Sequence, residues 1–241
     1  MTLVVENLIS GYGAVPVLHG ITFRQEPGEI VGIVGNNGMG KTTLLKTLMG
    51  LLATKGGSTS FHGTDFANLP AHRRSRIGFG YVPQGASGFP NLSVLESLQL
   101  ATVVGPGGRA KGIDEILELF PELSKYLNRS SSALSGGERQ MLSIARAVIR
   151  SPKLLLLDEL SEGVQPSIVE KLAERLVHLH ATENIGILVV DQELGFVASV
   201  AKRALVIHKG RISHEISAER LSDLDLLGGS IRSSSCGSFS T

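Results

Sequence analysis

The chain has 241 residues, 42% of them hydrophobic, and a formal net charge of +1. That length accommodates one large domain or two small ones with a sizeable core, and near-neutral charge gives no reason to invoke nucleic acid or a charged membrane surface. No apolar run approaches the roughly 20 residues needed to span a bilayer. Met1-Thr2-Leu3-Val4-Val5-Glu6 lacks the basic start and long apolar core of a signal peptide. The single cysteine, Cys236, excludes an intramolecular disulfide and fits a reducing cytosol. Any membrane contact is therefore expected through a partner protein.

In chain order, Leu3–Ile9, Ile21–Arg24 and Ile30–Val34 read as strands. Gly35-Asn36-Asn37-Gly38-Met39-Gly40-Lys41-Thr42-Thr43 then has the phosphate-loop pattern G-x-x-x-x-G-K-[ST]. Its glycines let successive backbone N–H groups turn inward around a triphosphate. Lys41 supplies a point charge for the β- and γ-phosphates, and the Thr42 hydroxyl can ligate Mg²⁺. Thr43–Met49 is helical and ends near Gly50. Strand, glycine loop and helix form the context this motif needs.

Thr59–Phe61 and Ile77–Val82 read as further strands, and His72-Arg73-Arg74 with Arg76 as a solvated helix face. Ser93-Val94-Leu95-Glu96 has the form of a capping box and opens a helix toward Leu100. Val104-Gly105-Pro106-Gly107-Gly108 is a breaker, and Ile113–Phe120 is helical up to Pro121. Ser135-Gly136-Gly137-Glu138 is a second S-x-x-E box, leading into a helix to about Arg150. Its start is a second anion site, so a nucleotide is expected to be gripped from two sides.

After Pro152, Leu154–Leu157 reads as a parallel strand buried on both faces, ending in Asp158-Glu159. Ligands in open α/β sheets bind beyond the carboxyl ends of strands. Asp158 is thus placed to hold Mg²⁺, and Glu159 to accept a proton from an attacking water. A helix at Ser167–His180, a strand at Ile187–Val190, a helix near Leu194–Val200 and a hairpin at Leu205–His208 and Arg211–Glu215 follow. His178 and His180 stand two apart and do not share a helix face, so no metal is assigned to them. Residues 1–229 form a single domain on this reading. A helical subdomain is inserted at about 85–150, and 230–241 is a disordered polar tail.

With the phosphate loop, Tyr81-Val82-Pro83-Gln84, Leu134-Ser135-Gly136-Gly137-Glu138, Asp158-Glu159 and Leu188-Val189-Val190-Asp191-Gln192 in this order, residues 2–225 resemble the nucleotide-binding subunits of ATP-binding-cassette (ABC) transporters. The resemblance implies an α/β fold: a P-loop NTPase core of ABC-cassette type, with an antiparallel β subdomain and an inserted helical subdomain. It also implies an ATP hydrolase acting with ATP and Mg²⁺. Tyr12 falls where the family stacks an aromatic on adenine, Gln84 at the sensor of Mg²⁺ or water, and Gln192 at the γ-phosphate switch. Asn36 to Thr43 would cradle the phosphates of one site, and Ser135, Gly136 and Gly137 would complete the site of a second ATPase subunit. That second subunit is either another copy or a paralogue. Transmembrane permease subunits and, indirectly, a solute-binding protein are the other implied partners, at the cytoplasmic face of the membrane.

Three departures from the family pattern stand out: Leu160 in place of proline, Gln165 in place of aspartate and Gln192 in place of histidine. A neutral amide can still hydrogen-bond a phosphate oxygen but supplies no positive charge. Gln at the switch also occurs in the importer subgroup for branched-chain amino acids and related solutes, which the whole chain resembles. Glu162-Gly163-Val164-Gln165-Pro166-Ser167 leans toward its urea-type members. A soluble non-transport cassette ATPase and an ATP-sensing module with little turnover are the alternatives.

Overall fold

The computed structural model describes residues 2–85, 88–103 and 110–221. The polar tail and the breaker at 104–108 lie outside these residues. Two sheets carry the chain. The first is antiparallel: β1 (Leu3–Tyr12), β2 (Val15–Gln25), β4 (Thr54–Phe61) and β5 (Thr64–Asp65) in the order β2-β1-β4-β5. The second contains β3 (Ile30–Val34), β6 (Phe79–Val82), β7 (Leu154–Asp158), β8 (Gly186–Asp191), β9 (Arg203–His208) and β10 (Arg211–Ser217), in the order β10-β9-β3-β8-β7-β6. All its pairings are parallel except the β9–β10 hairpin.

The helices are α1 (Lys41–Met49), α2 (Ala71–Ile77), α3 (Val94–Val103), α4 (Ile113–Leu119), α5 (Gly136–Val148), α6 (Pro166–Glu183) and α7 (Leu194–Val200). Period-two alternation splits the parallel strands between two cores. Val31, Ile33, Leu154, Leu156, Leu188 and Val190 pack with Leu44, Leu45 and Leu48 of α1 and with the first sheet. Ile30, Val34, Leu155, Leu157, Ile187 and Val189 pack on the other face, in a cluster shared with α3 to α7. Helix α1 is thus sandwiched between sheets, which fixes the loop that precedes it.

Parallel register sets the carboxyl ends of β6, β7, β8 and β3 along one edge. Val82 pairs with Leu157, Asp158 with Val190, and Asp191 with Val34. Gln84, Asp158-Glu159, Asp191-Gln192 and the phosphate loop therefore leave the sheet side by side.

Two readings from the sequence are corrected. Ile77 belongs to α2, not to a strand. Gly78 stops that helix with φ +113°, a left-handed conformation that favours glycine, and β6 starts only at Phe79. Arg74 is not solvated but 2% exposed. Its guanidinium donates to the carbonyls of Leu69, Ala67, Thr47 and Leu48 and lies 5.0 Å from the Phe66 ring centroid. Two of those acceptors are last-turn carbonyls of α1, so a cation caps the helix that begins at the phosphate loop. Arg74→Ala strands these buried acceptors and should destabilise the chain by about 2–4 kcal/mol. Arg74→Lys should not restore stability, because an ammonium cannot span the same fork. Chemical denaturation of both variants checks this.

Candidate functional site

The phosphate loop leaves β3 at Val34 and enters α1 at Lys41. Gly40 at the helix N-cap has φ +105°, a conformation costly for any residue with a Cβ. Lys41 is 3% exposed, and its Nζ donates to the carbonyls of Gly35 at 2.8 Å and Asn36 at 3.2 Å. It also forms an ion pair with Glu159 Oε1 at 3.1 Å. The other Glu159 oxygen accepts from Gln84 Nε2 at 2.8 Å. Glu159 itself adopts φ +49°, and its N–H donates to the Val190 carbonyl. One residue beyond the strand, this left-handed turn folds the carboxylate back over the loop. Such a conformation costs free energy and persists where neighbours over-determine it.

Asp158 is fully buried. Its Oδ1 accepts from the Thr42 hydroxyl at 3.0 Å and its Oδ2 from the Tyr81 hydroxyl at 3.1 Å. Burial pushes the Asp158 carboxyl up, against the hydrogen bonds from Thr42 and Tyr81, and the neighbouring Glu159 charge pushes the same way. Burial and then the charge of Asp158 raise the Tyr81 phenol. Thr42 and Asp158 present hard oxygen donors at one point, the donor set Mg²⁺ prefers. Among the described residues no group of three His, Cys, Asp or Glu side chains could hold a metal. A cation here would take its remaining ligands from phosphate and water.

Tyr12, Asn37, Gly38, Gly40, Lys41, Thr42, Thr43, Gln84 and Glu159 line one cleft. Tyr12 is 48% exposed at its rim, open to a flat ring. Asn36 and Met39 belong to the same loop, where the Met39 N–H donates to the Asn36 carbonyl. The cleft does not include Gln192, which lines a neighbouring cavity with Ser161, Glu162 and Asp191. Nor does it include Ser135, Gly136 or Gly137. Ser135 caps α5, accepting from the Glu138 N–H while Glu138 accepts from the Ser135 N–H at 2.8 Å. Burial raises the Glu138 carboxyl, but hydrogen bonds from Tyr126 and Ser135 outweigh it and hold the group below its usual range. Gly137 packs so closely on α6 that a Cβ there would sit 2.0 Å from Ile168 Cγ2.

Three residues of the site had no role in the sequence reading: Tyr81, which donates to Asp158, Glu162, which shares the Gln84 amide with Glu159 at 2.5 Å, and Asp191. Asp191 carried a signal. It ends a buried parallel strand on the same edge as Asp158 and in the same pattern.

A parallel sheet with a phosphate loop after one strand and paired carboxylates after another defines a P-loop nucleotide-binding cassette. Residues 18–162, more than half of the chain, match the family model described as ABC transporter. Over 216 residues the chain is 34% identical to the probable branched-chain amino acid transport ATP-binding protein LivF of Archaeoglobus fulgidus, covering 89% of this chain and 92% of that one. It is 36% identical to the high-affinity branched-chain amino acid transport ATP-binding protein BraG of Pseudomonas aeruginosa, covering 88% and 91%. It is also 34% identical to the lipopolysaccharide export system ATP-binding protein LptB of Escherichia coli, covering 92% and 93%. Among solved structures, a nucleotide-free ATP-binding cassette from an ABC transporter superposes with a TM-score of 0.81 at 25% identity, covering 94% of this chain and 96% of that one. The chain belongs to the ABC transporter family and is an ATP-binding, ATP-hydrolysing subunit of a transporter.

If Lys41 pairs with phosphate, Lys41→Ala should abolish or greatly weaken ATP binding while the circular dichroism spectrum keeps its native shape, because Lys41 belongs to neither hydrophobic cluster. Equal ATP affinity in calorimetry would remove Lys41 from the site.

Proposed function

We propose that this chain energises the uptake of branched-chain amino acids or related small solutes such as urea or amides. It works at the inner face of the cell membrane, as one of two ATPase subunits beneath a permease. The observation that supports the ATPase mechanism most is the convergence of Lys41, Thr42, Gln84 and Glu159 in one cleft, with buried Asp158 hydrogen-bonded to Thr42 behind it. Amides from Asn36 to Thr43 cradle the phosphates, Lys41 neutralises them, and Tyr12 stacks on the adenine. Thr42 and Asp158 would hold Mg²⁺, and Gln84 would sense it. When bound, Mg²⁺ offsets the charge of the phosphate oxygens.

Glu159 accepts the proton of a water that attacks the γ-phosphorus, the bond to the β–γ bridging oxygen breaks, and ADP leaves with that electron pair. Gln192 donates its amide to a γ-phosphate oxygen once closure brings it inward. Ser135, Gly136 and Gly137 lie outside their own chain's cleft, which supports a role at the ATP of a second subunit docked head to tail. The start of α5 then offers its amides to the γ-phosphate.

A groove follows Gln84, lined by Gly85, Gly88, Pro90, Ser131, Arg139 and Arg146. Phe89, 45% exposed, stands beside it with the Arg146 guanidinium 5.0 Å from its ring centroid. An apolar side chain exposed next to the sensor loop suits a permease segment that must feel the nucleotide state. No described helix is long and apolar enough to cross a membrane, so translocation needs such a partner. The similarity to LptB, as high as that to LivF, supports a second reading with a lipid cargo moved outward. Transport assays with the co-purified permease decide between cargoes.

Glu159→Gln should lower turnover by about 10²–10⁴-fold while nucleotide binding is retained. Near-normal phosphate release would exclude Glu159 as the base. Ser135→Arg should spare ATP binding to the isolated chain and block ATP-driven association, read by light scattering. Unchanged association would contradict the head-to-tail arrangement.

A further inference from the structure

Asp191 is 1% exposed and, among the described residues, forms no ion pair. A buried carboxylate without a cation is costly unless hydrogen bonds satisfy it. Here they do. Oδ2 accepts from the Ser161 N–H at 3.0 Å, and Oδ1 accepts from the Ser161 hydroxyl at 2.5 Å. Oδ1 also accepts from the N–H groups of Gln192 at 2.8 Å and Glu193 at 3.2 Å. A plain turn at the end of β8 would use only the last two. The other two bind Ser161 through both its backbone and its side chain, each to a different oxygen, and so fix the serine's position and its rotamer.

Ser161 is 7% exposed and opens the segment that leads from Glu159 to α6. That segment runs to the start of α5. A Cβ on Gly136 would lie 3.7 Å from the Gly163 carbonyl oxygen, and one on Gly137 would lie 3.5 Å from Val164 Cγ1. Hydrogen bonds thus join Gln192, Asp191 and Ser161, and the Gly163-Val164 segment that follows lies beside Gly136-Gly137. We infer that Asp191 is a positioning residue which, by gripping Ser161, makes the switch residue Gln192 and the segment 161–165 shift together. The presence of a γ-phosphate in one cleft is thereby passed to the signature that serves the other. This inference rests on the proposed roles of Gln192 and Ser135-Gly136-Gly137. The physical basis is directional: hydrogen bonds to a charged acceptor are roughly twice as strong as neutral ones, and two on separate oxygens resist rotation as well as separation.

The test uses the full chain and measures steady-state turnover, ATP affinity by calorimetry and thermal melting. Ser161→Ala removes the side-chain grip and keeps the backbone one. It should lower kcat by about tenfold while ATP affinity stays within about twofold, the pattern of an interaction that matters after binding. Ser161→Thr keeps a hydroxyl and should retain kcat within about twofold of the parent. Asp191→Asn should resemble Ser161→Ala, and the double variant should be no slower than the slower single, since both break one link. Unchanged kcat in Ser161→Ala, failure of threonine to rescue, or multiplying defects in the double variant would each overturn the inference. If Asp191→Asn does not fold, the Ser161 pair still decides. Loss of turnover when Glu159 is replaced, together with an insensitive Ser161→Ala, overturns the link alone. A parent chain that hydrolyses no ATP overturns the mechanism and the link with it.

Discussion

The Lys41–Glu159 ion pair is the interaction around which the cleft is organised. Both side chains are almost fully buried, at 3% and 6% exposure, and their charged atoms lie 3.1 Å apart. Either charge alone would be expensive at that depth, so each stabilises the other. The lysine that neutralises phosphate in the proposed mechanism is, without nucleotide, neutralised by the carboxylate that would deprotonate water. Gln84 holds the second Glu159 oxygen, and Thr42 and Tyr81 hold Asp158. Every acidic group on the floor of the cleft is thus engaged. In the proposed mechanism a triphosphate competes for Lys41 and so frees Glu159 to act as the base.

The sheet makes this possible. Strand β8 lies between β3 and β7, so the phosphate loop and Asp158-Glu159 are separated by one strand, with Asp191-Gln192 emerging between them. Helix α1 is held by core packing along its length and by the Arg74 guanidinium at its end. The loop therefore sits on a rigid support. The remaining parts of the proposed mechanism, Gln192 and the start of α5, are offset from the cleft, and in that proposal movement or a second subunit completes it.

Much of the fold was legible in the chain because the parallel strands are short, buried and apolar, and β3, β7 and β8 each lead into residues of the candidate site. Leu154–Leu157 followed by Asp158-Glu159 needed no tertiary information. The antiparallel sheet was harder. Strand β2 begins at Val15, but Pro16 argues against a strand, and it is tolerated because β2 is at the sheet edge. Strand β4 opens with Thr54-Lys55-Gly56-Gly57, where Gly57 has φ +82° opposite an irregularity in β1. Helix α2 has no apolar stripe to betray burial, and a single arginine finds its partners among carbonyls distant in sequence. Tyr81, Glu162 and Asp191 act through hydrogen bonds to residues 30 or more positions away, which no local pattern encodes.

The most direct test of this account is the ATP affinity of Glu159→Gln against the parent chain, by calorimetry without Mg²⁺. Removing the carboxylate leaves Lys41 buried and unpaired, so the phosphates meet no internal competitor. The account predicts tighter binding, by about tenfold. Weaker binding in the variant would mean that Lys41 is positioned by Glu159 instead of being held in reserve by it, and would contradict the exchange of partners at the floor of the cleft.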